Sequence, residues 1–131
     1  MPNATAGQGA DQTLGKILYV EDSALVGRFL VDALQIENID VTLAPDATAA
    51  FAFLEKDAIR FDLVLCDYKL PGSNGLEVMA AIRERYPELA LVLTTGFAEE
   101  AVERAAAAYD GLLEKPFEIA ELVALVNRHR R

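Results

Sequence analysis

The chain has little cysteine and little histidine: Cys66 and His129 are the single examples among 131 residues. One cysteine excludes an internal disulfide and a multi-cysteine metal cage, and it fits a reducing compartment. The start of the chain, residues 1–15, lacks the basic residues and apolar stretch of a signal peptide. No apolar run approaches membrane-spanning length. These absences predict a cytoplasmic protein without a membrane segment.

Positive charge is also scarce, because 12 lysines and arginines stand against 21 acidic residues and the net charge is −9. Non-specific nucleic-acid binding needs a basic face that displaces counterions. We therefore expect this chain to bind no nucleic acid. An acidic chain suits magnesium, a basic partner surface, or both.

Five prolines and eight glycines interrupt a chain that is 53% hydrophobic, and no Gly/Ser/Pro-rich linker divides it. At this length the composition predicts a single domain with a buried core. We expect residues 1–15 to form a flexible polar arm and residues 16–131 to form the domain.

Short apolar runs alternate five times with segments of helical periodicity. The runs lack a period of two, which is typical of parallel strands that are covered on both faces. Strict alternation of strand and helix predicts a doubly wound α/β sheet. The predicted strands cover residues 16–20, 40–44, 62–66, 89–95 and 111–114.

The helical segments carry their own start and stop signals. Ser23 is placed to cap the first helix, Asp46 opens the second, and Pro87 ends the third. A fourth segment, residues 98–109, is rich in alanine, and a fifth follows Pro116. Their apolar residues recur at helical spacing, so each segment predicts a helix packed on the sheet.

Polar side chains follow four of the predicted strands, at the edge where doubly wound sheets bind ligands. Carboxylates come after the first and third strands, a hydroxyl ends the fourth, and a lysine follows the fifth. Each signal is weak alone, since an acidic pair often only starts a helix. Together they predict a shared site made of Glu21, Asp22, Asp67, Thr95 and Lys115.

The chemistry of this set indicates magnesium and phosphate. Crowded carboxylates raise one another's pKa unless a cation is present. Magnesium prefers one or two carboxylates together with waters and phosphate oxygens. A carboxylate can also attack phosphorus to give an aspartyl phosphate. The added group then needs a metal ligand, an ammonium and a hydroxyl, for which Asp22, Lys115 and Thr95 are the candidates.

The sequence resembles the receiver domain of two-component response regulators from residue 16 to about residue 128. The resemblance implies a flavodoxin-like, five-stranded parallel sheet in the order 2-1-3-4-5. The motifs that carry the resemblance are VEDS (20–23), LVLCDYKLPGSNG (63–75), LVLTTGF (91–97) and EKPF (114–117).

The resemblance also implies a role for each site residue. Asp67 is the phosphorylated aspartate, Thr95 is the switch hydroxyl, and Lys115 contacts the phosphate. The Mg²⁺ ligands are Glu21 through water, Asp22, Asp67 and the backbone carbonyl of Lys69.

Leu112 departs from the family pattern, which often has Tyr or Phe three residues before the lysine. In the family that ring moves inward on phosphorylation, and a leucine has no ring to move. Movement of Thr95 toward the phosphate remains open to this chain. Because Leu112 and the alanine-rich fourth helix alter the usual dimer face, we expect a monomer or a weak dimer.

These features predict a signalling switch and not an enzyme. A histidine kinase or a histidine phosphotransfer protein would donate the phosphoryl group to Asp67, and a downstream protein target would bind the changed face. The donor histidine would belong to another protein, because His129 lies in the predicted last helix. The chain is either a stand-alone receiver, which we favour, or a part of a hybrid kinase or longer regulator.

Two other classes of protein compete with this interpretation. A pseudo-receiver would keep the fold as a phosphorylation-independent interaction module, and the complete residue set argues against it. A flavin-binding electron carrier of similar topology needs a hydroxyl- and glycine-rich phosphate loop after the first strand. Glu21 and Asp22 stand there instead, and two carboxylates repel a phosphate.

Overall fold

The computed structural model describes residues 15–96 and 108–130. The predicted arm up to residue 14 and residues 98–107 of the predicted fourth helix lie outside these ranges. None of the described helices is long and apolar enough to cross a membrane.

Five parallel strands form one sheet in the order β2-β1-β3-β4-β5. The predicted doubly wound sheet and its strand order are therefore confirmed. The strands are β1 (Gly15–Val20), β2 (Ile39–Ala44), β3 (Leu63–Asp67), β4 (Ala90–Thr95) and β5 (Gly111–Glu114).

Four described helices cover the sheet, and two short elements complete the fold. Residues Ala58–Arg60 form a 3₁₀ turn, and a small antiparallel pair joins Lys69–Leu70 to Ser73–Asn74. The helices are α1 (Ala24–Gln35), α2 (Ala47–Asp57), α3 (Gly75–Arg85) and α4 (Ile119–His129).

The strand boundaries agree with the predicted ones to within one residue. The third strand was predicted at 62–66 but runs from Leu63 to Asp67. Asp62 stays outside the strand, and its carboxylate accepts a hydrogen bond of 2.8 Å from the backbone N–H of Lys16. The shift makes Asp67 the last residue of β3, where its backbone is held in the ladder opposite Thr94.

The core has two layers, one on each face of the sheet. One layer packs under α2 and α3 and includes Leu54 and Met79, and the other packs under α1 and α4 and includes Leu34 and Leu122. The central strands β3 and β4 are buried throughout, as predicted. The outer strands β2 and β5 are partly exposed, because each pairs with one neighbour only.

Side chains cap the helices near the carboxyl edge of the sheet as the sequence predicts. Ser23 Oγ accepts a hydrogen bond of 3.2 Å from the N–H of Val26, and Asp46 Oδ1 accepts one of 2.8 Å from that of Ala49. The last helix starts at Ile119, three residues after Pro116. These caps fix where the chain leaves each strand, and therefore where the site residues lie.

Candidate functional site

Asp67 lies at the carboxyl end of β3 and is only 8% exposed. The backbone that follows it is held from two sides. The N–H of Tyr68 donates to the carbonyl of Thr94 at 2.8 Å, and the N–H of Gly75 donates to the carbonyl of Tyr68 at 2.6 Å. The carboxylate is thus presented from a rigid strand end, fixed between β4 and α3.

Gly75 explains why a glycine stands eight residues after the buried aspartate. A Cβ at this position would collide with the carbonyl oxygen of Asp67 and would come within 2.9 Å of Leu93 Cδ1. Asn74 caps the helix that begins here, because its side chain accepts from the N–H of Glu77 at 3.0 Å while the Glu77 carboxylate accepts from the N–H of Asn74. The motif therefore lets α3 approach the backbone of the strand end closely.

Three carboxylates meet at this edge of the sheet. Glu21, Asp22 and Asp67 each offer one oxygen, and these three oxygens lie within 4.8 Å of one another. Glu21 and Asp67 are buried, whereas Asp22 is exposed. Hard oxygen ligands with one side open to water are what Mg²⁺ prefers in proteins. The residues present therefore fit a magnesium ion.

Glu21 is held more firmly than an ordinary surface acid. Its backbone N–H extends the sheet ladder to the carbonyl of Ala44 at 3.0 Å. Its Oε2 accepts from the N–H of Ser23 at 3.1 Å, and its Oε1 accepts from the hydroxyl of Tyr19, also at 3.1 Å. These donors orient the carboxylate before any ligand is bound.

Lys115 brings the positive charge of the site. Its Nζ lies 3.0 Å from Asp67 Oδ1 and 3.4 Å from Glu21 Oε1. Its backbone N–H donates to the carbonyl of Thr95 at 2.7 Å, so β4 and β5 are joined where both residues leave the sheet. The Lys115–Pro116 peptide bond is cis. The ammonium reaches the acceptor on β3 from the end of β5, two strands away in the sheet.

Negative charge is crowded at the site, because Lys115 pairs with Asp67 and Glu21 beside a third carboxylate, that of Asp22. Burial raises the pKa of Asp67, and the charges of Glu21 and Asp22 raise it further, against the opposing effect of Lys115. Burial alone would lower the pKa of Lys115, but the hydrogen bonds and charges of Asp67 and Glu21 together outweigh burial and raise it. A divalent cation at this cluster would supply positive countercharge to the three carboxylates.

The other two predicted residues lie at the same carboxyl edge of the sheet. Thr95 ends β4 and is 2% exposed, and Lys69 begins the small antiparallel pair two residues after Asp67, with its side chain exposed. The structure thus brings together Glu21, Asp22, Asp67 and Lys115 and ties in the backbone of Thr95. The switch role of the Thr95 hydroxyl and the metal contact of the Lys69 carbonyl stay predictions.

Tyr19 is a residue of the site that sequence reasoning missed. It lies within an apolar strand, where an aromatic residue is ordinarily core. The available signal was its spacing, because side chains two residues apart in a strand point to the same face and Tyr19 stands two residues before Glu21.

The fold and the site together define a doubly wound α/β domain with an acidic metal pocket and a lysine at the carboxyl edge of its sheet. The protein-family model for the response regulator receiver domain matches residues 17–127 of this chain. The chain belongs to this family. Receiver domains bind Mg²⁺ at an acidic pocket and interact with histidine kinases and downstream effectors.

Curated relatives of the chain include the response regulator protein FleR of Pseudomonas aeruginosa, with 37% identity over 119 residues. The sensor kinase CckA of Brucella abortus is 30% identical over 112 residues. These matches cover 87% and 84% of this chain, but only 24% and 12% of the two relatives. The chain spans about half the length of other curated relatives, such as the response regulator RppA of Synechocystis.

A solved structure with the same fold is that of the response regulator protein TrrA of Thermotoga maritima, in complex with Mg(2+)-BeF. It is 27% identical, its TM-score is 0.77, and the match covers 87% of this chain and 97% of TrrA.

Proposed function

We propose that this chain is a phosphorylation-operated switch in which Asp67 accepts a phosphoryl group from a phosphohistidine protein. A histidine kinase or a histidine phosphotransfer protein is the donor, and a downstream protein target binds the phosphorylated form. The single observation that carries the proposal is the 3.0 Å contact between Asp67 Oδ1 and Lys115 Nζ beside the two further carboxylates of the site.

In the transfer, a carboxylate oxygen of Asp67 attacks the phosphorus as the bond between phosphorus and the donor's histidine nitrogen breaks. The histidine leaves as imidazole, and Asp67 becomes an acyl phosphate. When bound, Mg²⁺ neutralises charge on the transferred group and would be held by Asp22, Asp67, the Lys69 carbonyl and, through water, Glu21. The TrrA relative in complex with Mg(2+)-BeF supports this assignment.

The residues of this chain then hold the new dianion. Lys115 already contacts the acceptor, so its ammonium is within reach of a phosphoryl oxygen on Asp67. Thr95 ends the neighbouring strand, and its hydroxyl would donate to a second oxygen. Because the carbonyl of Thr95 accepts from the N–H of Lys115, movement of one strand end is coupled to the other. The loops after β3, β4 and β5 would shift and change the partner-binding face.

The role is that of a signalling module in the cytoplasm. The chain would supply the acceptor and metal site and assist its own phosphorylation and dephosphorylation, without acting as an enzyme on another substrate. Leu112 is 37% exposed on β5, and no aromatic ring stands at its place to rotate inward. We therefore assign the coupling to Thr95 and Lys115, and we propose a monomer or a weak dimer.

The proposal is tested by incubating the protein with acetyl phosphate and Mg²⁺ and recording its intact mass. The wild-type protein should gain one phosphoryl group, and the Asp67→Asn variant should gain none. Asp40→Asn removes a carboxylate that pairs with Arg60 on the surface at 3.9 Å, and it should behave as wild type. No gain in the wild type would favour the pseudo-receiver, whereas a gain that survives Asp67→Asn would place the acceptor elsewhere.

A further inference from the structure

The hydroxyl of Tyr19 reaches into the candidate site from the core. Tyr19 is 1% exposed, and its ring packs in the layer between the sheet and helices α1 and α4. A buried tyrosine hydroxyl requires a hydrogen-bond partner, and it usually finds one in backbone or water. Here the partner is the Oε1 atom of Glu21, at 3.1 Å.

Tyr19 and Glu21 are two residues apart at the end of β1, so both side chains point to the same face of the sheet. Among the described residues, Lys115 Nζ also lies near Oε1 of Glu21, at 3.4 Å, while the N–H of Ser23 donates to Oε2 of Glu21. The carboxylate is therefore fixed by donors from the strand, from the cap of α1 and from the loop after β5. Of these, the phenol is the closest side-chain donor.

We propose that Tyr19 is a positioning residue for the metal site: its hydroxyl holds the Glu21 carboxylate toward Asp22 and Asp67 and so raises the affinity for Mg²⁺. This inference rests on the proposed function, because Glu21 needs such a position only if the cluster binds a metal. The hydroxyl of Tyr19 also satisfies part of the hydrogen-bonding capacity of Glu21, so that Lys115 can remain paired with Asp67. Without it, Lys115 would be the remaining side-chain donor to Oε1 of Glu21 among the described residues, at 3.4 Å.

The expected effect follows from what comparable contacts do. Groups that hydrogen-bond to a metal ligand and fix its orientation change metal affinity by roughly 10- to 100-fold when they are lost. Glu21 keeps two of its donors in the Tyr19→Phe variant, so we expect a loss at the lower end, about tenfold. The phenyl ring remains, so the packing of the core is retained.

The experiment compares wild type, Tyr19→Phe and the control Tyr86→Phe. Tyr86 is half-buried and lies at the end of α3, at the opposite edge of the sheet. Mg²⁺ affinity is measured by calorimetry in all three proteins. The Mg²⁺-induced change in tyrosine fluorescence is a second readout, which is directly observable because the chain has no tryptophan. The rate of phosphorylation by acetyl phosphate is then recorded against Mg²⁺ concentration.

Tyr19→Phe should raise the Mg²⁺ dissociation constant and the Mg²⁺ midpoint of the rate about tenfold, with the rate at saturating Mg²⁺ within about twofold of wild type. The Mg²⁺-induced change in fluorescence should be smaller in Tyr19→Phe than in Tyr86→Phe, and Tyr68, which follows Asp67, remains in both variants. An unchanged Mg²⁺ affinity would overturn the role of Tyr19. An equal loss of affinity in Tyr86→Phe, or a fall in thermal stability that accounts for the whole effect, would overturn it as well.

The outcomes also separate this inference from the proposed function. If the wild type binds Mg²⁺ but gains no phosphoryl group, the switch is wrong, and the comparison of affinities still decides the role of Tyr19. If the wild type binds Mg²⁺ and is phosphorylated while Tyr19→Phe behaves identically, only the inference on Tyr19 is wrong. A wild type that binds no Mg²⁺ contradicts both.

Discussion

The two edges of the sheet use aspartates in opposite ways, since Asp110 at the amino edge is exposed and Asp67 at the carboxyl edge is buried. At the amino edge, Asp110 Oδ2 accepts from Arg83 Nη2 at 2.7 Å and from the N–H of Leu91 at 2.8 Å. Arg83 also donates through Nη1 to the carbonyls of Pro87 and Leu89. Two donors therefore meet at one oxygen of this single carboxylate. At the carboxyl edge, Asp67 shares the Lys115 ammonium with Glu21, and Asp22 adds a third carboxylate.

The pKa values of the two residues record the difference. Burial raises the pKa of Asp110, but the hydrogen bonds from Arg83 and Leu91 outweigh burial, so that the pKa falls below its ordinary value. Burial and the neighbouring acids keep the pKa of Asp67 above it. The balance of hydrogen-bond donors against burial and neighbouring charges decides whether the pKa of each aspartate rises or falls. The Asp110 carboxylate stabilises the fold. The Asp67 carboxylate is destabilising where it lies, and it is available there to a ligand.

The backbone of the carboxyl edge should be the most sensitive to substitution. Gly75→Ala places a methyl group against the carbonyl of Asp67 and against Leu93, and we expect a loss of about 3 kcal/mol in the free energy of unfolding. Urea unfolding measures the loss. Gly96→Ala is the matched control, because no atom of residues 15–96 or 108–130 lies within 4 Å of its Cβ position. Equal stability of the two variants would contradict the close packing of α3 on the strand end.

Bound Mg²⁺ should offset the repulsion among the three carboxylates at the carboxyl edge. A ligand at 100 times its dissociation constant stabilises the folded state by about 2.7 kcal/mol. Thermal melts of the wild type should therefore move upward with Mg²⁺, and those of Asp22→Asn should move little. Asp40→Asn, which lacks a surface carboxylate outside the site, should respond like wild type. Equal responses from both variants would mean that the ion binds elsewhere.

The amino edge should lose stability when its carboxylate is neutralised. Asp110→Asn weakens the pair with Arg83 and the bond from Leu91, and we expect a loss of about 1.5 kcal/mol, since both side chains of the ion pair are partly solvated. Chemical unfolding at neutral pH measures this value. A variant as stable as wild type would show that Arg83 and the backbone suffice without the carboxylate.

In the absence of metal, Asp67→Asn should raise the free energy of unfolding, whereas Asp110→Asn should lower it. The amide removes the repulsion from Glu21 and Asp22 while keeping an oxygen for Lys115, so we expect a gain of about 1 kcal/mol. The same unfolding experiment with a chelator present measures the gain. A clear loss of stability would mean that the ion pair with Lys115 outweighs the crowding of the acids.

The pH dependence of the free energy of unfolding should also differ between Asp67→Asn and Asp110→Asn. A raised folded pKa makes the ionised Asp67 costly at neutral pH, and this cost vanishes as the pH falls through the folded pKa toward the unfolded value of about 4. The gain from Asp67→Asn should therefore shrink on acidification. The contribution of Asp110 is present above about pH 4 and is lost only as the pH falls through its lowered pKa. Thermal melts of both metal-free variants against wild type follow these differences.

The strands and the site cluster could be predicted because both depend on local signals. Apolar runs predicted all five strands to within one residue, and the acids and the lysine follow from where those runs end. Ser23 and Asp46 cap their helices as expected, because a cap is a contact over three residues.

Contacts between distant residues could not be predicted in the same way. Arg83 and Asp110 are 27 residues apart, and nothing in their surroundings indicates that one carboxylate will serve both an arginine and a strand N–H. The hydroxyl of Tyr19 was missed because an aromatic residue in a buried strand is ordinarily part of the core. Such roles depend on which groups the tertiary fold brings together.

The central claim is that Asp67 accepts a phosphoryl group beside a magnesium ion held by its neighbouring acids. The most direct test is a crystal structure of the protein with Mg²⁺ and beryllium fluoride, which mimics the phosphoryl group. We predict the mimic on Asp67, in contact with Lys115 and Thr95, and the ion about 2.1 Å from oxygens of Asp22 and Asp67. An ion bound away from these acids, or an Asp67 carboxylate left unmodified with Lys115 still paired to it, would contradict the claim.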